Sequence, residues 1–144
     1  MKGDWLEVAV AKWVEDATGT RPFQGIDCWL NNHQLEVDVA MVRAHRLYVI
    51  SCTTDDKKGL CKTKLFEVAM RARQLGGDLA RSALVCLIDG HDSQGKYIDR
   101  LRGDVASVWE APNKLQVFGL ADLREWTATA GSPNLDSLKR WLDS

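Results

Sequence analysis

The chain has 144 residues, 45% hydrophobic and 27% charged, with a formal net charge of −1. That length and balance suit one soluble globular domain with a sizeable core, and they argue against a surface that binds polyanions indiscriminately. No apolar run approaches the roughly 20 residues of a membrane span, and Met1-Lys2-Gly3-Asp4-Trp5 is not a secretory signal, so a cytoplasmic protein without membrane association is expected.

Residues 4–16 predict a first helix. Asp4 can cap it, and Trp5, Leu6, Ala9, Val10, Trp13 and Val14 fall within one half of the helical wheel. Glu7 sits at the edge of that stripe, either as a rim residue or as an acid held close to whatever the helix covers. Thr18 to Pro22 is a loop. Gln24 to Leu30 predicts a strand and Asn31-Asn32-His33-Gln34 a turn. Leu35 to Val42 and Leu47 to Cys52 predict two further strands joined at the polar turn Arg43 to Arg46. Alternation puts Glu36 and Asp38 on one face and Val37 and Val39 on the other. Ser51 and Thr53 form a second i, i+2 polar pair, closing an otherwise apolar strand as at a surface or a cleft.

After the polar loop Asp55 to Gly59, residues 60–75 predict the strongest helix. Leu65, Val68, Ala72 and Leu75 would face the core, with Lys64, Glu67 and Arg71 on another face and Gly76-Gly77 as the stop. Ala83 to Ile88 is continuously apolar, the pattern of a strand covered on both faces. Asp89 to Gly95 reads as a loop, Tyr97 to Val105 as a helix, and Leu115 to Gly119 as a last strand after Pro112-Asn113. Helices at Ala121 to Thr127 and Leu135 to Leu142 flank a break at Gly131-Ser132-Pro133. The order α-β-β-β-α-β-α-β-α implies an α/β fold, a mixed sheet with helices on both sides, forming one domain over residues 1–144.

Charge is uneven. Residues 1–56 hold 5 basic and 9 acidic side chains, residues 57–81 hold 7 and 2, and the remainder 7 and 9. A basic block beside an acidic pair suits a metal-assisted reaction on a phosphate chain, although a solvated helix face gives the same pattern. Arg71, Arg73 and Arg81 could contact phosphates or belong to such a face. The cysteines, Cys28, Cys52, Cys61 and Cys86, lack CxxC spacing, and three lie in or beside apolar runs. They read as small core residues in a reducing cytosol rather than zinc ligands. His33, His45 and His91 fall in turns, and the tryptophans at 5, 13, 29, 109, 126 and 141 read as core or interface residues.

Helix, hairpin, strand, helix, strand, with Glu7 on the first helix, Asp38 on strand two and a polar dyad on strand three, resembles the PD-(D/E)XK nucleases, a restriction-endonuclease-like fold. Gly3-Asp4-Trp5-Leu6-Glu7, Leu35-Glu36-Val37-Asp38-Val39 and Arg46-Leu47-Tyr48-Val49-Ile50-Ser51-Cys52-Thr53-Thr54 are similar to one group, the effector domains of CRISPR-associated nucleases switched on by cyclic oligoadenylate through a separate CARF sensor domain. Leu65-Phe66-Glu67, Arg71 to Gly77 and Ala83 to Ile88 continue the match. It places the motif-bearing core at residues 3–90 and a C-terminal completion at 91–144.

The resemblance implies a metal-dependent endonuclease acting on DNA or RNA in antiviral defence, working as a homodimer, with a CARF sensor or cyclic oligoadenylate system as partner. Mg²⁺ or Mn²⁺ would be held by Asp38, Glu67, Glu36 and Glu7, since hard cations take carboxylate oxygens and polarise the phosphate. The family's acid-x-lysine is Ser51-Cys52-Thr53 here. Some enzymes resembling this fold place serine at that acid position and bring glutamate from the next helix, and Glu67 follows Ser51 by 16 residues. Lys62 or Lys64 would then supply the cation missing at Thr53, with Ser51 and Thr53 lining the site. The competing readings are a Lys64–Glu67 surface pair and a degraded nuclease-fold module that binds nucleic acid or a protein partner without cleavage. A purely structural dimerisation domain is a further reading, suggested by the many tryptophans.

Overall fold

The computed structural model describes residues 4–30, 32–54, 58–87, 100–101, 103, 115–127 and 133–144. His91, Trp109, the loop Asp89 to Gly95 and most of the helix expected at Tyr97 to Val105 lie outside the described residues; Arg100, Leu101 and Gly103 of that helix are helical. A first helix α1 (Asp4–Thr18) leads into strands β1 (Phe23–Leu30), β2 (His33–Arg43) and β3 (Arg46–Cys52). Helix α2 (Lys58–Gly76) and a 3₁₀ turn (Gly77–Leu79) cross to β4 (Arg81–Val85), and β5 (Leu115–Phe118) precedes α3 (Leu120–Trp126) and α4 (Asp136–Leu142). The sheet runs in the order β1-β2-β3-β4-β5, with β1–β2 and β2–β3 antiparallel and β3–β4 and β4–β5 parallel. The expected mixed sheet flanked by helices is what forms.

Two apolar layers cover this sheet. On one face Leu6, Val10 and Val14 of α1, Leu123 and Trp126 of α3, and Leu138, Trp141 and Leu142 of α4 pack on Val39, Met41, Tyr48, Ile50, Val85 and Phe118. On the other, Cys61, Leu65, Val68, Ala69 and Ala72 of α2 cover Val37, Ala40, Val49, Leu84, Cys86 and Val117. Ala83 to Cys86 feed both layers by alternation, which explains that unbroken apolar run. Leu75, expected inside, lies on the exposed side of α2, and Trp5 of α1 is also exposed. The buried stripes are narrower than the wheel suggested, because each helix meets the sheet along one line of contact.

Edge-on aromatic contacts stitch the first layer together. Phe118 meets Trp126 at 4.9 Å and Trp141 at 6.0 Å, Trp13 meets Trp126 at 5.3 Å, and Tyr48 meets Trp141 at 5.2 Å between ring centroids. Trp126 Nε1 donates to Ser137 Oγ, tying α3 to α4. The end of the chain is fastened to the β2–β3 hairpin: Arg43 pairs with Asp143 at 3.0 Å, and Arg46 Nη1 and Tyr48 Oη both donate to the Ser144 carbonyl. Cys52, Cys61 and Cys86 are buried free thiols. At the end of α2, Gly77 has φ +70°, as a helix stop requires. Gly76 is small for a different reason: a Cβ there would stand 2.8 Å from Leu47 Cβ.

The β2–β3 hairpin turns through two residues, Ala44 (φ 51°) and His45 (φ 64°), both left-handed. A type I′ turn needs this, and Asn-Gly adopts it with least strain, whereas Ala carries a Cβ penalty of about 1 kcal/mol. The double substitution Ala44→Asn, His45→Gly should therefore raise the thermal midpoint by about 2–4 °C in a calorimetric scan.

Candidate functional site

Strands β2 and β3 pair from Arg43↔Arg46 to Val39↔Ile50 and then part. At that point Asp38 Oδ2 accepts the backbone N–H of Cys52 at 2.8 Å and the Ser51 hydroxyl at 3.4 Å. The side-chain carboxylate replaces a ladder carbonyl. On the opposite side, Gln24↔Val39 and Ile26↔Val37 bracket Gly25 and Asp38, and Gly25 has φ +59°. The alternation expected of β2 is interrupted here. Val37 joins the α2 layer and Val39 the α1 layer, so the two valines do not share a face. The cause is the local change of twist where the ladder opens between a left-handed glycine and a side-chain-capped strand.

Cys52, between the two residues singled out on β3, is buried. Burial pushes its thiol well above the ordinary value; Asp38 and then Glu7 add to the rise, and Lys64 opposes it. Carboxylates from α1 and β2 and an ammonium from α2 therefore act on one buried point at the end of β3. Sequence reading passed over Cys52 as a core residue, and its place between Ser51 and Thr53 was the available signal. Thr53 is buried and continues the parallel ladder by donating its N–H to Val85 at 3.0 Å. Ser51 is half-buried.

Glu36 is exposed and stands opposite Asp27 across the β1–β2 ladder. Glu67 is half-buried on the flank of α2, in line with Lys64 and Arg71, and Lys62 is exposed. Among the described residues no three His, Cys, Asp or Glu side chains are grouped closely enough to hold a metal ion. The four-carboxylate cluster is thus not assembled. Asp38, engaged by β3 through Oδ2 alone, is the acid whose remaining oxygen could serve a hard cation that keeps most of its water, since Mg²⁺ takes one or two carboxylates plus substrate oxygens. The arginines are tied locally. Arg71 Nη1 donates to the Glu36 carbonyl at 2.9 Å, Arg73 pairs with Asp78 at 3.7 Å, and Arg81 Nη1 donates to the Leu79 carbonyl at 3.3 Å.

A groove of about 570 Å³ opens beside Glu7, lined also by Arg21, Pro22, Phe23, Gln24 and Gly25. These residues had not been singled out from sequence; the Arg-Pro-Phe-Gln-Gly entry to an edge strand carries no motif.

No protein-family model matches the chain, and no curated protein matches it. Among solved structures, protein VC1899 from Vibrio cholerae superposes on 97% of the chain with a TM-score of 0.67 at 21% identity. The chain spans about a third of that protein, 34% of its length. That likeness is one of fold.

Asp38→Ala should cost about 1–3 kcal/mol of unfolding free energy in urea, because it strips a partly buried N–H and a hydroxyl of their acceptor, and Asp38→Asn, which keeps an oxygen there, should cost less. Because the folded thiol of Cys52 stays protonated above the ordinary value of 9.0 while the unfolded one ionises, stability should fall as pH rises past that value. Denaturation midpoints followed between about pH 8 and 10 should show a shallower fall in Cys52→Ala.

Proposed function

We propose that this chain is a metal-dependent nuclease domain that hydrolyses phosphodiester bonds in DNA or RNA, of the kind represented by the effector halves of cyclic-oligoadenylate-activated CRISPR ancillary nucleases. The single observation that supports the reading is the seating of Asp38 where β2 and β3 part, its Oδ2 accepting the Cys52 N–H and the Ser51 hydroxyl. Asp38 would offer Oδ1, since both of its bonds to β3 fall on Oδ2. A bound Mg²⁺ or Mn²⁺ would polarise the phosphate and acidify a water there. Lys64, partly shielded from solvent on the flank of α2, would offset charge on the phosphate as it is attacked. Ser51 would hold Asp38 in place. Glu67 and Lys62 lie on the same helix as Lys64.

A second reading, a module that binds nucleic acid without cutting it, is favoured by Ser51 and Thr53 standing where the resembling enzymes carry an acid and a lysine. Titration with Mn²⁺ separates the two, because the hydrolase binds it through Asp38 and the module need not. With plasmid and single-stranded substrates in Mg²⁺ or Mn²⁺, Asp38→Ala should abolish cleavage, and Glu7→Gln and Lys64→Ala should each lower it by about 10²–10³. Cleavage by Asp38→Ala equal to that of the wild type would overturn the site.

A further inference from the structure

The groove beside Glu7 has features that metal binding does not require. Phe23, at the first position of β1, leaves 68% of its surface exposed. An edge strand normally covers or omits such a ring. Pro22 is buried behind it. Gly25 exposes bare backbone on the same wall, with φ +59° and nothing within 4 Å of the space its Cβ would take. Arg21 is exposed, with no ion-pair partner among the described residues. Glu7 completes the lining, and the register sets Gly25 across from Asp38.

We propose that this groove seats one unpaired nucleotide of a polynucleotide strand, its base stacked on Phe23 and its phosphate against Arg21, next to the bond presented to Asp38 and Glu7. The inference rests on the nuclease reading and deepens it by assigning strandedness. Three arguments converge. A groove of about 570 Å³ has room for a single nucleotide. An aromatic face can be used only by a base that has left its own stack, because paired bases present edges to a protein. Arg21, the one cation of a lining whose one acid is Glu7, can pair with a phosphate, while the glycine lets the strand approach the backbone closely.

The test is binding of labelled single-stranded oligonucleotides, deoxy and ribo, and of a duplex of equal length, to the full chain with Ca²⁺ in place of Mg²⁺, read by fluorescence anisotropy. Phe23→Ala should weaken single-strand binding by about tenfold and Phe23→Trp should restore it, with duplex binding alike in all three. Arg21→Ala should reduce both the affinity and its dependence on salt. Unaltered thermal melts of these surface variants exclude misfolding as the cause. If the wild type binds and cuts but Phe23→Ala binds single strands equally well, the nucleotide seat is wrong and the nuclease reading survives. If the wild type neither binds nor cuts any of these substrates, both fall together.

Discussion

Asp38 Oδ2 stands where a ladder carbonyl would otherwise stand, and the architecture around it depends on that exchange. With the Cys52 N–H satisfied by a side chain, β2 and β3 can separate after Val39↔Ile50 without leaving a buried donor unpaired. Separation shifts the phase of β2, sending Val37 to one layer and Val39 to the other. It also leaves a carboxylate at the mouth of the opening, which an uninterrupted ladder would have turned into one layer or the other. A site at this place is thus a by-product of how the sheet ends.

The opposite end of the same hairpin is held firmly. Arg43, Arg46 and Tyr48 grip Asp143 and Ser144, and Trp141 packs on Tyr48 beneath them. Phe118 and Trp126 carry that grip across to α1 and α3 through ring contacts. The hairpin is clamped at its turn and open at its base, so groups borne on its base are positioned by packing of the whole α1 layer. Arg71 adds a tether from α2 to the Glu36 carbonyl. Arginines that looked like phosphate contacts in the sequence are, in part, the fastenings of the scaffold.

The chemistry open to this arrangement is limited by what converges. Asp38 is fastened to the end of β3, beside hydroxyls at Ser51 and Thr53, and the charges of Glu7 and Lys64 are felt at the Cys52 thiol. Hard oxygens and a lysine suit a phosphate substrate and an oxygen-seeking cation. They do not suit thiolate chemistry, since the thiol at the centre is driven towards its neutral form by burial and by two like charges.

Much of this could be read in the residues alone. Periodicity located α1, α2 and the strands, the continuous run at Ala83 located a doubly covered strand, and Gly76-Gly77 marked where α2 stops, because these depend on local sterics and on which face meets water. Asp38 was recognisable as the acid of strand two because its neighbours in sequence form the motif. Folding alone decided the rest. Glu7, Glu36, Asp38 and Glu67 are brought together by the motifs, yet among the described residues they do not gather into a metal-holding group. The break in alternation at Asp38 arises from Gly25, 13 residues earlier on another strand, and from a hydrogen bond to Cys52, 14 residues later. Contacts of that separation are set by strand register and helix docking, which a local pattern does not encode.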